Sequence, residues 1–214
     1  MQLQIKICGL KTKEMVDAAI GAGADLIGFV HFAKSPRHLE LDDIGELINH
    51  VGARAQSVIL CVNPDDQLIE QFNQLRPHYI QLHGQESVER VKAIKANSHA
   101  RLIKALPVGT FEDLDAITQY HPHVDWVLLD AKPPKDATRP GGNGEVFDWS
   151  ILKALDPTIP FMLSGGLNVE NVADAVKLIQ PAAIDVSSGV ERAKGQKDAE
   201  KIRRFISQAT IASV

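Results

Sequence analysis

Short apolar runs alternate with amphipathic stretches along the whole chain, and eight such runs can be counted. They are LQIKIC from Leu3, DLIGFV from Asp25, QSVILCV from Gln56, HYIQLH from His78, RLIKAL from Arg101, DWVLLD from Asp125, PFMLSG from Pro160 and AAIDVSS from Ala182. After each run the apolar period lengthens, which predicts helices beginning near Lys11, Leu41, Pro64, Gln85, Thr110, Asp148, Asn168 and Asp198. Caps are expected from Thr110 with Asp113, from Asp148, and from Asn168 beside Glu170. Two-residue hairpin signals are missing between the strands, so neighbours need helical crossovers and run parallel. Eight strand–helix units predict an α/β fold, a closed (β/α)8 barrel of near-minimal length forming one catalytic domain over residues 1–214. A doubly wound open sheet alternates in the same way and is the alternative.

A strand buried on both faces of a parallel sheet reads as continuously apolar, so strict alternation carries information. Three runs alternate. Leu3, Ile5 and Ile7 oppose Gln4, Lys6 and Cys8; Ile80 and Leu82 oppose Gln81 and His83; Ile184 and Val186 oppose Asp185 and Ser187. With the apolar faces packed on helices, the polar faces line the lumen. Half-exposed antiparallel strands are the competing explanation, and they conflict with the crossover pattern.

Composition narrows the class. Hydrophobic residues at 44% and charged residues at 23% exclude a disordered or fibrous chain. A net charge of −4 supplies no overall basic field for nucleic acid, although a local basic pocket remains open. Cys8 and Cys61 are the only cysteines, with no CxxC spacing, so neither a disulfide scaffold nor a structural zinc site is expected. The opening MQLQIKICGLKTKE reaches charges before a signal-like run can build, and no stretch of about 18 apolar residues occurs. A cytoplasmic protein without membrane contact is the expectation. No linker, charge block or low-complexity tract divides the chain, and the longest irregular segment, 131–147, reads as an active-site loop after the sixth strand.

Barrel active sites form at the C-terminal ends of the strands, where Cys8, His83, Asp130, Ser164 and Ser187 all fall. Cys8, between Ile7 and Gly9, suits either a base or nucleophile, or a small buried hydrophobe; Cys61 within VILCV suits the latter. Lys6 lies one pleat further in on the same face. Its ammonium would favour the Cys8 thiolate, or pair with a carboxylate such as Asp185. Asp130 ends the apolar run WVLL, where desolvation favours a protonated carboxyl fit for acid catalysis. The glycine turns SGGL, with Gly165 and Gly166, and SSGV, with Ser187, Ser188 and Gly189, end the last two strands. Their freed N–H groups, beside a short extra helix, predict a phosphate site. Arg37 could grip a carboxylate with two parallel hydrogen bonds or lie solvated on the surface. The GGNG of Gly141 to Gly144 lacks dinucleotide spacing, and His121 and His123 sit at the opposite barrel end as surface residues.

Seven motifs taken together resemble the phosphoribosylanthranilate isomerase family over the whole chain. They are KICGL at Lys6, FAKSPRHL at Phe32, QLHG at Gln81, LLD at Leu128, GGNGEVFDW at Gly141, LSGGL at Leu163 and DVSSGVE at Asp185, followed by GQKDAEKI at Gly195. The resemblance implies a cofactor-free, metal-free Amadori rearrangement of N-(5-phosphoribosyl)anthranilate in tryptophan biosynthesis. It implies Cys8 as general base and Asp130 as general acid, with Arg37, His83 and Asp185 binding substrate and Arg37 holding the anthranilate carboxylate. The phosphate falls to Gly165, Gly166, Ser187, Ser188 and Gly189. A small phosphorylated substrate, no nucleic acid and a monomer or homodimer complete the expectation. Asn143 departs from the usual hydroxyl residue of that loop, and Ala183 replaces a common glycine. A related phosphosugar epimerase or indole-glycerol-phosphate synthase would need other acid–base sets, metal ligands or strand-end lysines; a non-catalytic phosphosugar binder would not need both Cys8 and Asp130.

Overall fold

All eight expected strands form in the computed structural model, which describes residues 2–132, 141 and 148–213. They are β1 (Gln4–Cys8), β2 (Leu26–Val30), β3 (Gln56–Cys61), β4 (Tyr79–Leu82), β5 (Arg101–Val108), β6 (Trp126–Ala131), β7 (Phe161–Leu163) and β8 (Ala183–Val186). Every neighbouring pair is parallel, and β8 pairs back onto β1, so the sheet is a closed barrel and not the open alternative. Closure removes the two edges that an open sheet would have to protect.

The alternation sorts side chains onto the two faces of the wall as expected. Ile5, Ile7, Ile80, Leu82, Ile184 and Val186 pack in the layer shared with the helices. A smaller apolar cluster of Leu26, Val58, Tyr79, Ile103, Leu128, Met162 and Ala183 fills the lumen. Lys6, Gln81 and Asp185 are buried there too. Because Lys6 and Asp185 are direct partners across β1 and β8, their side chains emerge side by side on the same face.

The connections follow the predicted order with shifted starts. Helices α1 (Lys13–Ala22), α3 (Asp66–Leu75) and α4 (Val88–Asn97) begin two or three residues late, because Thr12, Asp65 and Ser87 supply the N-cap oxygens. Helix α2 (Leu41–Val51) starts where expected. Asp113 accepts from the Thr110 N–H at 2.8 Å, and a 3-10 turn then leads into α5 (Leu114–Tyr120). Asn168 caps a turn and not a helix: it accepts from the N–H groups of Glu170 and Asn171, and α6 (Val172–Ile179) starts after Asn171. The connection after Asp148 is a 3-10 segment, Trp149–Ala154, not an α-helix. Six residues ahead of the Asp156–Thr158 turn and Pro157 are too few to propagate an α-helix. Asp198 caps the long closing helix α7 (Ala199–Ala212) with two backbone bonds.

One element has no counterpart in the expected pattern. Between β8 and α7 lies an antiparallel hairpin, β9 (Glu191–Ala193) and β10 (Gln196–Lys197), turned by Lys194 and Gly195, the latter at φ +76°. It occupies the place where a short extra helix was expected. Its flanks are polar and only two or three residues long, so they lack the alternation that marks a hairpin in a sequence. Among the described residues, no helix is long and apolar enough to cross a membrane.

Candidate active site

A cleft opens at the C-terminal ends of the strands. Cys8, Arg37, His83, Asp130, Ser164 and Asp185 all line it, together with the glycine turns after β7 and β8. The side chains expected at the mouth are therefore brought together, including groups from opposite sides of the barrel.

Cys8 ends β1 with its thiol against β2. A methyl group on Gly28, its β2 partner, would lie 2.9 Å from the sulfur, so glycine makes the room the thiol occupies. Burial pushes the thiol pKa up; the Lys6 and Lys197 ammonium groups pull it down and the Asp185 carboxylate adds to the rise. The net direction is upward. Lys6 thus acts on Cys8 in the expected sense without making the thiolate the resting form. Its own ammonium donates to Asp185 Oδ1 at 2.7 Å; burial works to lower its pKa, and Asp185 and Cys8 together turn the net direction upward. Asp185 Oδ2 accepts from Ser164 Oγ at 3.2 Å, so both carboxylate oxygens already have protein donors.

Asp130 is the penultimate residue of β6, and its Oδ2 lies 3.2 Å from His83 Nε2. The other ring nitrogen, Nδ1, sits 3.0 Å from the amide nitrogen of Gln81, which shares the lumen face of β4. Imidazole and carboxylate are thereby aligned from neighbouring parts of the rim. Gly141 packs against both, and a side chain there would collide with His83 Nε2 and Asp130 Oδ2. Of the long segment expected to cover the site, 133–140 and 142–147 lie outside the described residues, and so does the Asn143 departure.

Gly165 and Gly166 follow β7 at φ +81° and +66°, and a Cβ on Gly165 would come 2.5 Å from the Ala131 nitrogen. Only glycine fits that left-handed, crowded turn. The two glycine turns touch, since Gly189 bridges to Asn168 and has no room for a side chain against Leu167 O. Ser187 Oγ donates to Cys8 O at 3.1 Å, tying the second turn to the end of β1.

Arg37 is neither solvated nor wholly open to a ligand. It is buried, with Nε 2.6 Å and Nη2 3.0 Å from the two oxygens of Glu191 on β9. Its bidentate edge is thus filled by a protein carboxylate, leaving Nη1 and one Nη2 hydrogen without a partner among the described residues. Lys197 completes the cluster by donating to Glu191 Oε1 at 2.9 Å. The Glu191 carboxyl, opposed by its burial but held by Arg37 and Lys197, is depressed to about 2; burial lowers the Lys197 ammonium to about 8 despite Glu191.

Glu191 and Lys197 were not anticipated, because nothing in GVERAKGQKD signals that the charges turn inward. A second unforeseen pair lies outside the lumen. Lys104 faces the helix layer from β5 and donates to Glu86 at 2.7 Å and to Gly84 O at 2.8 Å. Glu86 in turn accepts from the N–H groups of Asn63 and Gly84, clamping the loop that carries His83. Cys61 sits buried on the same outer side, as expected for a packing residue. Among the described residues, no group of three or more His, Cys, Asp or Glu is placed to hold a metal ion.

Comparison with known proteins agrees over the full length. A family model described as N-(5'phosphoribosyl)anthranilate (PRA) isomerase matches residues 5–208. The N-(5'-phosphoribosyl)anthranilate isomerase of Rhodopseudomonas palustris is 50% identical over 210 residues, covering 98% of this chain and 96% of the relative. The crystal structure of phosphoribosyl anthranilate isomerase from Thermotoga maritima superposes with a TM-score of 0.87 at 35% identity, over 97% of this chain and 98% of that one. A structure of such an isomerase in complex with reduced 1-(o-carboxyphenylamino)-1-deoxyribulose 5-phosphate gives a TM-score of 0.82 at 30% identity, with coverage of 97% and 98%.

Proposed function

Since the chain belongs to the N-(5'-phosphoribosyl)anthranilate isomerase family, we propose that Cys8 is the general base and Asp130 the general acid of that aldose–ketose isomerisation. The substrate is N-(5-phosphoribosyl)anthranilate and the product 1-(2-carboxyphenylamino)-1-deoxyribulose 5-phosphate, formed in tryptophan biosynthesis. The observation that carries the reading is one cleft lined by a thiol, a carboxyl and two adjoining glycine turns.

The chemistry needs little more. Asp130 gives a proton to the furanose ring oxygen, and the nitrogen lone pair opens the ring to a Schiff base. Cys8 then takes the C2′ proton, and the enolamine tautomerises to the ketone. His83, aligned with Asp130, fixes the direction in which the acid points. Asp185, already engaged by Lys6 and Ser164, acts on substrate as a held charge beneath the reacting carbons. The turns with Gly165, Gly166, Ser187, Ser188 and Gly189 hold the phosphate through backbone N–H groups, whereas the remaining Arg37 donors meet the anthranilate carboxylate. Gripping both ends of the substrate turns remote binding into orientation at C2′. The work is done in the barrel of one domain, by a protein acting on a small phosphorylated molecule and not on nucleic acid.

The test is turnover of the anthranilate substrate, followed by its fluorescence. Cys8→Ala and Asp130→Asn should each lose about a hundredfold or more in kcat while still binding the reduced product analogue. Near-normal turnover in either variant removes that residue from its role. Full binding without any turnover in the unaltered protein would instead favour a phosphosugar-binding function.

A further inference from the structure

The hairpin after β8 does something that neither turn geometry nor helix capping requires: it sends a lysine back into the barrel mouth. In regular register, Gln196 opposite Ala193 would set Lys197 opposite the exposed Arg192. The register shifts between Gln196 and Lys197, and Lys197 comes to lie opposite Glu191 on the buried side. Bulges of this kind re-aim a side chain. The hairpin tip is seated as well, since Gly195 donates to Glu191 Oε2 at 3.0 Å and leaves only 2.7 Å between Pro36 O and where its Cβ would be.

All three Lys197 donors have acceptors. They are Ser187 O at 2.8 Å, Ser187 Oγ at 3.2 Å and Glu191 Oε1 at 2.9 Å. Ser187 Oγ in turn donates to the Cys8 carbonyl. A single ammonium group therefore ties the second glycine turn to the residue after which β1 ends, through one serine. The charged and titratable groups around it are Glu191 on β9, Arg37 in the loop after β2, and Cys8 on β1; Lys201 of α7 holds the Glu191 carbonyl from behind.

We propose that Lys197 is a positioning residue for the isomerisation, fixing the Ser187 turn against the end of β1 and keeping a positive charge within reach of the Cys8 thiol. Its ammonium opposes the effect of burial on that thiol, which is the direction in which a base must be moved to act. The inference rests on Cys8 being the base for its consequence in turnover, but its electrostatic part does not. Of the groups that pull the thiol down, Lys6 is committed to Asp185 inside the lumen, whereas Lys197 arrives on an element outside the barrel.

The experiment uses full-length protein carrying Cys61→Ala, so that alkylation reports on Cys8 alone. Lys197→Met is compared with Lys197→Gln, which keeps a donor for Ser187 O without the charge and preserves the test should the Met variant not fold. In the folded variant, kcat should fall by about tenfold or more with a smaller change in KM, as misplacement of a reacting group predicts. Alkylation of Cys8 should slow at pH 7, where Lys197, lowered to about 8, still carries its charge. A lysine that only stabilised the hairpin would lower the melting temperature and leave that rate where it was. An unmoved Cys8 alkylation rate in a folded variant, or an unchanged kcat, overturns the proposal. Undiminished turnover in Cys8→Ala would sink the base assignment instead, and the alkylation rate would still read the coupling to Lys197.

Discussion

The two cysteines stand on opposite faces of the same barrel wall, and the contrast between them shows what makes a thiol chemical. Both are buried. Cys61 faces the helix layer of β3, where burial drives its pKa well up and the Glu86 carboxylate adds to the rise, with Lys104 and Arg90 opposing. Cys8 faces the lumen at the mouth; burial raises it too, but two buried ammonium groups, Lys6 and Lys197, work against that rise. Lys6 and Lys104 repeat the contrast as cations, one pairing with Asp185 inside the barrel and the other with Glu86 outside. The same residue types, buried to the same degree, serve packing on one face and the cleft on the other, because only the lumen face opens at the strand ends.

The sharpest way to break this contrast is to remove each thiol in turn. Cys8→Ala should abolish most turnover, by about a hundredfold or more, whereas Cys61→Ala should leave kcat unchanged. For the outer cysteine the cost is stability alone, about 1 kcal/mol in denaturant melts. A catalytic defect in Cys61→Ala would erase the distinction.

Next in size are the two lysines. Lys104→Met strands the buried Glu86 carboxylate and should lower unfolding free energy by about 3 kcal/mol, which a urea titration reads directly. Lys6→Met strands Asp185 at similar cost, but it should also raise the pH at which Cys8 is alkylated; Lys104→Met should not. Equal Cys8 titrations in both folded variants would show that the lumen charge has no special access to the thiol.

Arg37→Ala tests the rim. Substrate KM should rise by about tenfold through loss of a charge-assisted contact, with competition by inorganic phosphate preserved. If calorimetry finds the analogue bound as tightly as before, Arg37 serves Glu191 alone and the carboxylate is held elsewhere.

The smallest effect is on acid stability. Glu191 is depressed in the folded state to about 2 from an ordinary 4.5, so its contribution is present above about 4.5 and is lost as pH falls toward 2. Between those values the unfolded chain binds the extra proton, and stability declines on acidification. Glu191→Gln should flatten that part of the pH–stability curve relative to the unaltered protein. An identical slope would mean that Arg37 and Lys197 do not hold the carboxylate in solution.

Hydrophobic period by itself determined the eight strands, their parallel order and which side chains of β1, β4 and β8 face inward, because side-chain direction in a strand depends only on parity. The position of reactive groups at strand ends followed from that, and Cys8, His83, Asp130 and the glycine turns do meet in one cleft. The pairings followed only in part. Asp185 was open to Lys6 as a partner on the shared lumen face, whereas the match of Arg37 to Glu191, 154 positions apart, depends on where the last hairpin docks. Arg37 therefore looked like a carboxylate clamp or a solvated charge, and Glu191 and Lys197 drew no reading, because only the register shift brings Lys197 opposite Glu191 on the buried side. Local pattern decides which face a residue occupies; whether a charge there is free, paired or aimed at a thiol is a property of the closed barrel, where low dielectric makes every such pairing matter.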